Sequence, residues 1–285
     1  MNKIIRTYFY MIVGAISGLI GWQASNLIGL STTKNVYLSE IPVGAVIGLI
    51  FGILLGALEG LLTRHWVKVL KGTLPGALLG LVAGAVALPL SEWVFQTAGA
   101  GLLGRALGWG FFGLVIGLVA GMTGGTQLWK AMLGGLIGGA IGGALMEVSA
   151  ANLSDLLLGK AIGMILLGAC IGIFTSLIVV LLARAWLEVK SGKLKGTEFI
   201  LDKFIKARGP SIFIGSDALK SEIVLPDPDI APQHAMLTGD GRAFELKDMS
   251  MIGTFINKKR IERARLDDRQ TIKMGNTELV YHEKR

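Results

Sequence analysis

The chain changes its hydrophobic pattern once, near residue 190. Before that point, apolar residues form long runs at about 8–29, 42–63, 73–95, 106–125, 131–150 and 160–187. Each run is close to the roughly 20 residues that a helix needs to cross the hydrocarbon core of a bilayer. Backbone groups in lipid must be satisfied within the segment, so these runs predict six membrane helices. After that point the period shortens. EFILDKF, SIFIGS, EIVLPD, HAMLTG, RAFELKD, GTFINKKRI, TIKMG and ELVYHE are β-rich runs separated by turn signals such as GDG and DPD. They predict eight strands in an all-β sandwich large enough to hold its own core. The expected organisation is a transmembrane domain over 1–188, a basic linker over 189–196 and a β domain over 197–285.

The helical part repeats itself. Gly14, Ala15 and Gly18 recur as Gly76, Ala77 and Gly80, and again as Gly139, Ala140 and Gly143. A first span belonging to such a repeat reads as a permanent helix, not as a signal peptide. Trp66, Trp129 and Trp186 each stand six residues before Gly72, Gly135 and Gly192, so the repeat unit reads as a helical hairpin of about 60 residues, three times over. Span 2 carries Gly44, Gly48, Gly52, Gly56 and Gly60, and span 4 carries Gly113, Gly117, Gly121 and Gly125. Four-residue spacing places each set on one helix face as a glycine zipper, for packing within the chain or for a homo-oligomer.

Charge sets the topology. There are 13 Lys and Arg against 6 Asp and Glu before residue 197, and 15 against 14 from there on. The excess therefore lies beside the apolar runs. With an inner N-terminus, Lys3, Arg6, Arg64, Lys68, Lys71, Lys130, Arg184, Lys190, Lys193 and Lys195 are inside, and only Lys34, Arg105 and Lys160 are outside. That asymmetry predicts two cytoplasmic termini, in what is expected to be a bacterial cytoplasmic membrane. The linker lysines would also attract anionic headgroups. Glu59, Glu92 and Glu147 fall near helix ends, where an interface solvates them, and Pro89 is the one candidate for a broken transporter helix.

Candidate chemistry is sparse. Cys170 has no partner for a disulfide, and His65, His234 and His282 form no ligand cluster, so neither metal nor cofactor is expected. No nucleophile–base arrangement stands out, and the glycine-rich strings lie in membrane helices instead of following a strand, so an enzyme is not expected. No basic-aromatic cluster points to nucleic acid.

Gly215, then EIVLPDPDIAPQHAML (Glu222–Leu237), KDMSMIGTFINKKRI (Lys247–Ile261) and LDDRQTIKMG (Leu266–Gly275) resemble, in that order, the forkhead-associated domain. The resemblance implies an 11-stranded sandwich whose loops at one end read phosphothreonine. It also implies which residues have changed. The family's phosphate-binding arginine is replaced by Ser216, its phosphate-binding serine by Ala231, the often basic next residue by Pro232, and its peptide-holding asparagine by Ile252. Gly215, His234, Gly253 and Thr254 remain as supports of the loops. Ser216, Lys220, Ala231, Pro232, Gln233, Ser250, Met251, Ile252 and Asn257 are the expected partner-binding residues, with Arg208 or Lys258 as a displaced phosphate partner. The expected function is a membrane scaffold or signalling protein that presents a cytoplasmic protein-binding module. The alternatives are a channel or transporter regulated by that module, and a true phosphothreonine receptor in a Ser/Thr kinase pathway.

Overall fold

A computed structural model describes residues 3–27, 35–62, 66–99, 101–124, 127–205 and 209–284. Lys34, Arg64, His65, Gly125 and Arg208, singled out above, lie outside the described residues. The chain forms two compact units, one of helices over Ile4–Leu181 and one of strands from Leu182 onward.

The helices are α1 (Lys3–Leu27), α2 (Val36–Leu62), α3 (Trp66–Thr97), α4 (Leu102–Gly124), α5 (Leu128–Asn152) and α6 (Leu156–Leu181). All six are long and apolar enough to cross a membrane. Most start several residues before the apolar runs, because polar and aromatic first-turn residues continue the helix. Glu40 therefore lies inside α2. The sixth ends six residues earlier than expected, since 182–187 belongs to the strand unit.

Glycine decides which helices touch. A Cβ on Gly52 would overlap the carbonyl of Gly76, one on Gly139 those of Trp109 and Gly113's Cα, and one on Gly14 the carbonyl of Gly168. The closest backbone approaches thus join α2 to α3, α4 to α5 and α6 to α1, and α5 also lies close along α6. The repeat is real in space, but its tight pairs run between successive hairpins and close back on α1. These faces are spent within the chain, which removes the reason for a homo-oligomer built on them. In a lipid environment helices would gain little by hiding apolar area, and contact would rest on dispersion across backbones that only glycine lets approach.

The even helices are the more enclosed set. Phe51 of α2 and Phe112 of α4 meet edge to face at 6.4 Å, and Leu167 and Ile171 of α6 are fully buried in the same cluster. Charges sit toward the helix ends. Arg6 donates to Glu59 at 2.5 Å and Tyr10 donates to it at 2.7 Å, so α1 supplies two of the partners of Glu59. Arg105 lies 3.3 Å from Glu147 and 3.8 Å from Glu92.

The second unit has β1 (Ala185–Val189), β2 (Glu198–Ile200), β3 (Ile212–Gly215), β4 (Ile223–Val224), β5 (Ala235–Gly239), β6 (Phe244–Asp248), β7 (Thr254–Ile256), β8 (Lys259–Ile261), β9 (Arg263–Arg265), β10 (Thr271–Met274) and β11 (Thr277–Glu283). One sheet runs β2-β1-β11-β10-β7-β8 and the other β4-β3-β5-β6-β9. Alternating residues such as Leu187, Leu279 and Ile272 face Ile212, Leu237 and Leu246 in a single core, with Phe244 edge to face on Tyr281. Two expectations fail here. Residues 189–196 are not a linker but the turn of the β1–β2 hairpin, because β1 pairs with β11 along its whole length. Trp186 is not the third member of a membrane motif either; it stacks on His282 with ring centroids 5.0 Å apart.

The glycine contacts give the first prediction. Gly52→Leu forces α2 and α3 apart and lowers the melting point of the helical unit in detergent, at a cost of about 3 kcal/mol or more. Gly101→Ala, at a position with open space around it, changes stability by less than about 0.5 kcal/mol.

Candidate partner-binding face

Three loops meet at one end of the sandwich, 216–222 after β3, 225–234 after β4, and 249–253 after β6. The first two are stapled together. Ser216 N–H donates to the Ala231 carbonyl at 3.0 Å, Ser221 Oγ to the Pro232 carbonyl at 2.7 Å, and Gln233 Nε2 to the Lys220 carbonyl at 3.0 Å. Gly215 permits this closeness, since a Cβ there would overlap the Pro232 carbonyl. Asp227 ties the second loop to the β10–β11 turn, accepting from Asn276 N–H at 2.9 Å and Thr277 Oγ1 at 2.8 Å.

His234 joins the third loop to the second. Its ring is fully buried, and the Ala231 N–H points at Nδ1 at 3.2 Å, so Nδ1 is the acceptor and Nε2 carries the proton. Nε2 then faces the Gly253 carbonyl at 3.3 Å and Ser250 Oγ at 3.1 Å. Ser250 Oγ also accepts from Gly253 N–H at 2.8 Å and donates to Asp248 Oδ1 at 3.0 Å. Thr254 Oγ1 donates to the same carboxylate oxygen at 2.8 Å. Gly253 takes φ 94°, a left-handed backbone that lets the loop turn into β7. Ser250, expected among the partner-binding residues, is therefore a support, with its hydroxyl committed inward.

The outer surface of the loops carries a set of exposed apolar side chains, together with exposed Lys220. Met251 is 100% exposed, Leu219 70%, Ile252 54% and Met249 47%. Exposed Pro232 and half-buried Ala231 flank them. None of these apolar side chains donates a hydrogen bond. The expected residues thus assemble in part: Ser216, Lys220, Ala231, Pro232, Gln233, Met251 and Ile252 share this end. Asn257 does not, because it lies past the far end of β7, where its N–H donates to Thr271 O at 2.9 Å and its Oδ1 accepts from Thr271 N–H at 3.1 Å. Lys258 sits beside Asn257 in the same turn, so it cannot act as a displaced phosphate partner.

Arg260 is the residue that sequence reading missed. The two-residue Asn257–Lys258 turn folds β8 back along β7 and sets Arg260 opposite Phe255. Its guanidinium then reaches the Met251 carbonyl at 3.3 Å. The signal was the hairpin itself, in which an Asn-Lys turn brings the strand after it back toward the loops.

Residues 212–275 match the family model described as the FHA domain. The sandwich is of FHA type. Over 98 residues the chain is 30% identical to the glycogen accumulation regulator GarA of Mycolicibacterium smegmatis, a match covering 34% of this chain and 58% of GarA. The chain thus spans a little over half the length of that curated relative. Among solved structures, the FHA domain of CT664 from Chlamydia trachomatis is 28% identical, with 36% of this chain and 99% of that chain covered and a TM-score of 0.32. The cytoplasmic domain of the sorting platform protein PscD from P. aeruginosa is 20% identical, with coverages of 36% and 82% and a TM-score of 0.32.

The FHA domain's support network has a pH signature. Burial acts to raise the Asp248 carboxyl, but donation from Thr254, Ser250 N–H and the Ser250 hydroxyl outweighs it and holds the group below the usual aspartate range. A depressed carboxyl adds stability above its unfolded value near pH 4, and that contribution is lost as pH falls through the folded value. Asp248→Asn is expected to cost about 1–2 kcal/mol at pH 7, measured by urea unfolding of the strand unit. The gap to the parent protein closes below about pH 4.

Proposed function

We propose that this chain is a non-enzymatic integral membrane protein whose helices anchor an FHA domain, and that the domain recruits a cytoplasmic protein partner through an apolar loop face without phosphothreonine. The observation that carries this reading is the exposure of Met251, Ile252 and Leu219 on these loops, Ile252 standing where the resembled family places its peptide-holding asparagine. A phosphate needs several charge-assisted donors to offset its desolvation. Ala231, Pro232, Met251 and Ile252 supply none, whereas exposed apolar side chains fixed on a rigid loop suit an ordinary protein interface. The role is that of a scaffold or signalling protein, a class to which a relative named as a regulator also points.

The membrane part of the proposal rests on the outward faces of the helices. Leu74, Leu78 and Val82 of α3 are each more than 60% exposed, a surface that lipid accepts and water does not. Exposed Trp66 and Trp129 open α3 and α5, and exposed Trp93 lies near the other end of α3, as interfacial anchors on both sides. The glycine contacts between helices act as zippers within one protomer, and the charge asymmetry of the sequence orients both termini to the cytoplasm. A channel through the bundle gains no support from the buried apolar cluster of Phe51, Phe112, Leu167 and Ile171. A second reading, phosphate recognition by a relocated guanidinium, is favoured by Arg260 alone.

The partner reading is tested by cross-linked pull-down from native membranes with the intact protein. Ile252→Asp is expected to weaken recovery of the main partner by about tenfold or more. An unchanged partner set would show that the loop face is not the interface.

A further inference from the structure

The chain arrives in the sandwich at the end opposite the three loops. Ala185 pairs with Glu283, and Arg184 accepts from Lys284 N–H at 2.7 Å. The Asn257–Lys258 turn meets Thr271, Arg269 meets Tyr281, and the β5–β6 turn meets Ile205, all at this same end. The lysines of the β1–β2 turn, Lys190, Lys193 and Lys195, are at the other end, since Lys190 and Ser191 bond to Glu278 and Asn276 beside the loops. They are therefore not the residues that follow the last helix.

The arrival end has its own positive surface. Arg184, Lys203, Arg242, Lys258, Lys259 and Arg269 are all exposed there. The acidic residues near them are engaged by the sandwich, Asp267 by Gln270 Nε2 at 3.1 Å and Glu283 by the Tyr281 hydroxyl at 3.3 Å. Asp240 accepts from Arg242 and Ala243 N–H and pairs with Arg265, and Asp268 accepts from Glu283 N–H and pairs with Arg269. Lys203, Arg242, Lys258 and Lys259 make no ion pair among the described residues. Two of the basic residues also hold a backbone that their type disfavours. Lys258 has φ 71° and Arg269 φ 63°, and apart from Asn257 they are the described non-glycine residues with positive φ. Glycine takes that conformation freely and a β-carbon crowds it. A cation at both positions is thus placed against local preference.

We infer that this end is a docking surface for anionic lipid headgroups. Charge complementarity selects that occupant, and so does chain continuity, because only Leu182–Arg184 separate the last residue of α6 from β1. A basic residue near an anionic membrane surface is attracted strongly enough to shift a local equilibrium about fivefold. Docking through this end leaves the loops, one sandwich length away, free to meet a partner. The inference rests on the membrane reading given above and is independent of what the loops bind.

Hydrogen exchange on the intact chain in lipid nanodiscs tests it. In discs containing phosphatidylglycerol, amides of residues 257–259 and 267–270 are expected to exchange about fivefold or more slowly than in phosphatidylcholine discs, with the difference lost at high salt and residues 249–253 unchanged. Lys258→Gly with Arg269→Gly is expected to reduce the difference by about threefold or more while thermal stability is kept or raised, since glycine relieves both backbones. A purely structural role predicts no lipid dependence to lose. Equal exchange in the two discs, or protection that appears at 249–253 instead, overturns the inference. A chain that enters neither disc contradicts the membrane reading itself, and this inference with it.

Discussion

The buried ring of His234 is the constraint on which the recognition end depends. It is fixed by Ala231 N–H at one nitrogen and faces Gly253 O and Ser250 Oγ at the other, so one side chain reinforces two loops that the β5–β6 ladder and the Met249 N–H bond to the His234 carbonyl bring side by side. Asp248 completes the arrangement by gathering Ser250 and Thr254 onto a single carboxylate oxygen. A loop held in this way has little conformational freedom left to lose on binding. That is why exposed Met251 and Ile252 can form a usable contact surface and not merely a mobile apolar tip.

The same physics separates what this domain has kept from what it has changed. The kept residues are small or inward-facing: Gly215 for a close approach, Gly253 for a left-handed turn, His234 and Thr254 for hydrogen bonds out of reach of solvent. Against the resembled family, Ala231, Pro232 and Ile252 stand with carbon where donors are expected, and Ser216 keeps a hydroxyl in place of a guanidinium. Losing the fold would require breaking a buried network, whereas altering what the loops bind needs only surface substitutions. The helical unit, whose six helices are long and apolar enough to cross a membrane, follows a parallel logic. There glycine is the structural residue, and its faces are consumed by α2 with α3, α4 with α5 and α6 with α1.

Much of this was legible in the sequence, for reasons that can be stated residue by residue. Six apolar runs could only be helices, and three motif blocks in order fixed the sandwich. The pairing of the helices was not legible, because a glycine face states that a backbone comes close without saying which one. The first three residues of AWLEV were absorbed into the sixth span because its alternation starts directly after an apolar helix, and its partner β11 lies about 90 residues away. At the site, the positions of Ala231, Pro232 and Ile252 followed from motif order alone. The inward turn of Ser250 depends on a rotamer, and the arrival of Arg260 on a hairpin that folds it back, and neither is written in spacing.

The central claim is that the FHA domain here binds through carbon and not through phosphate. Calorimetric titration of the intact protein with paired phosphothreonine and unphosphorylated peptides tests it most directly. The account predicts that phosphorylation leaves affinity unchanged or lowers it. A gain of about tenfold or more on phosphorylation, lost in Arg260→Ala, would contradict it and identify Arg260 as a relocated phosphate ligand.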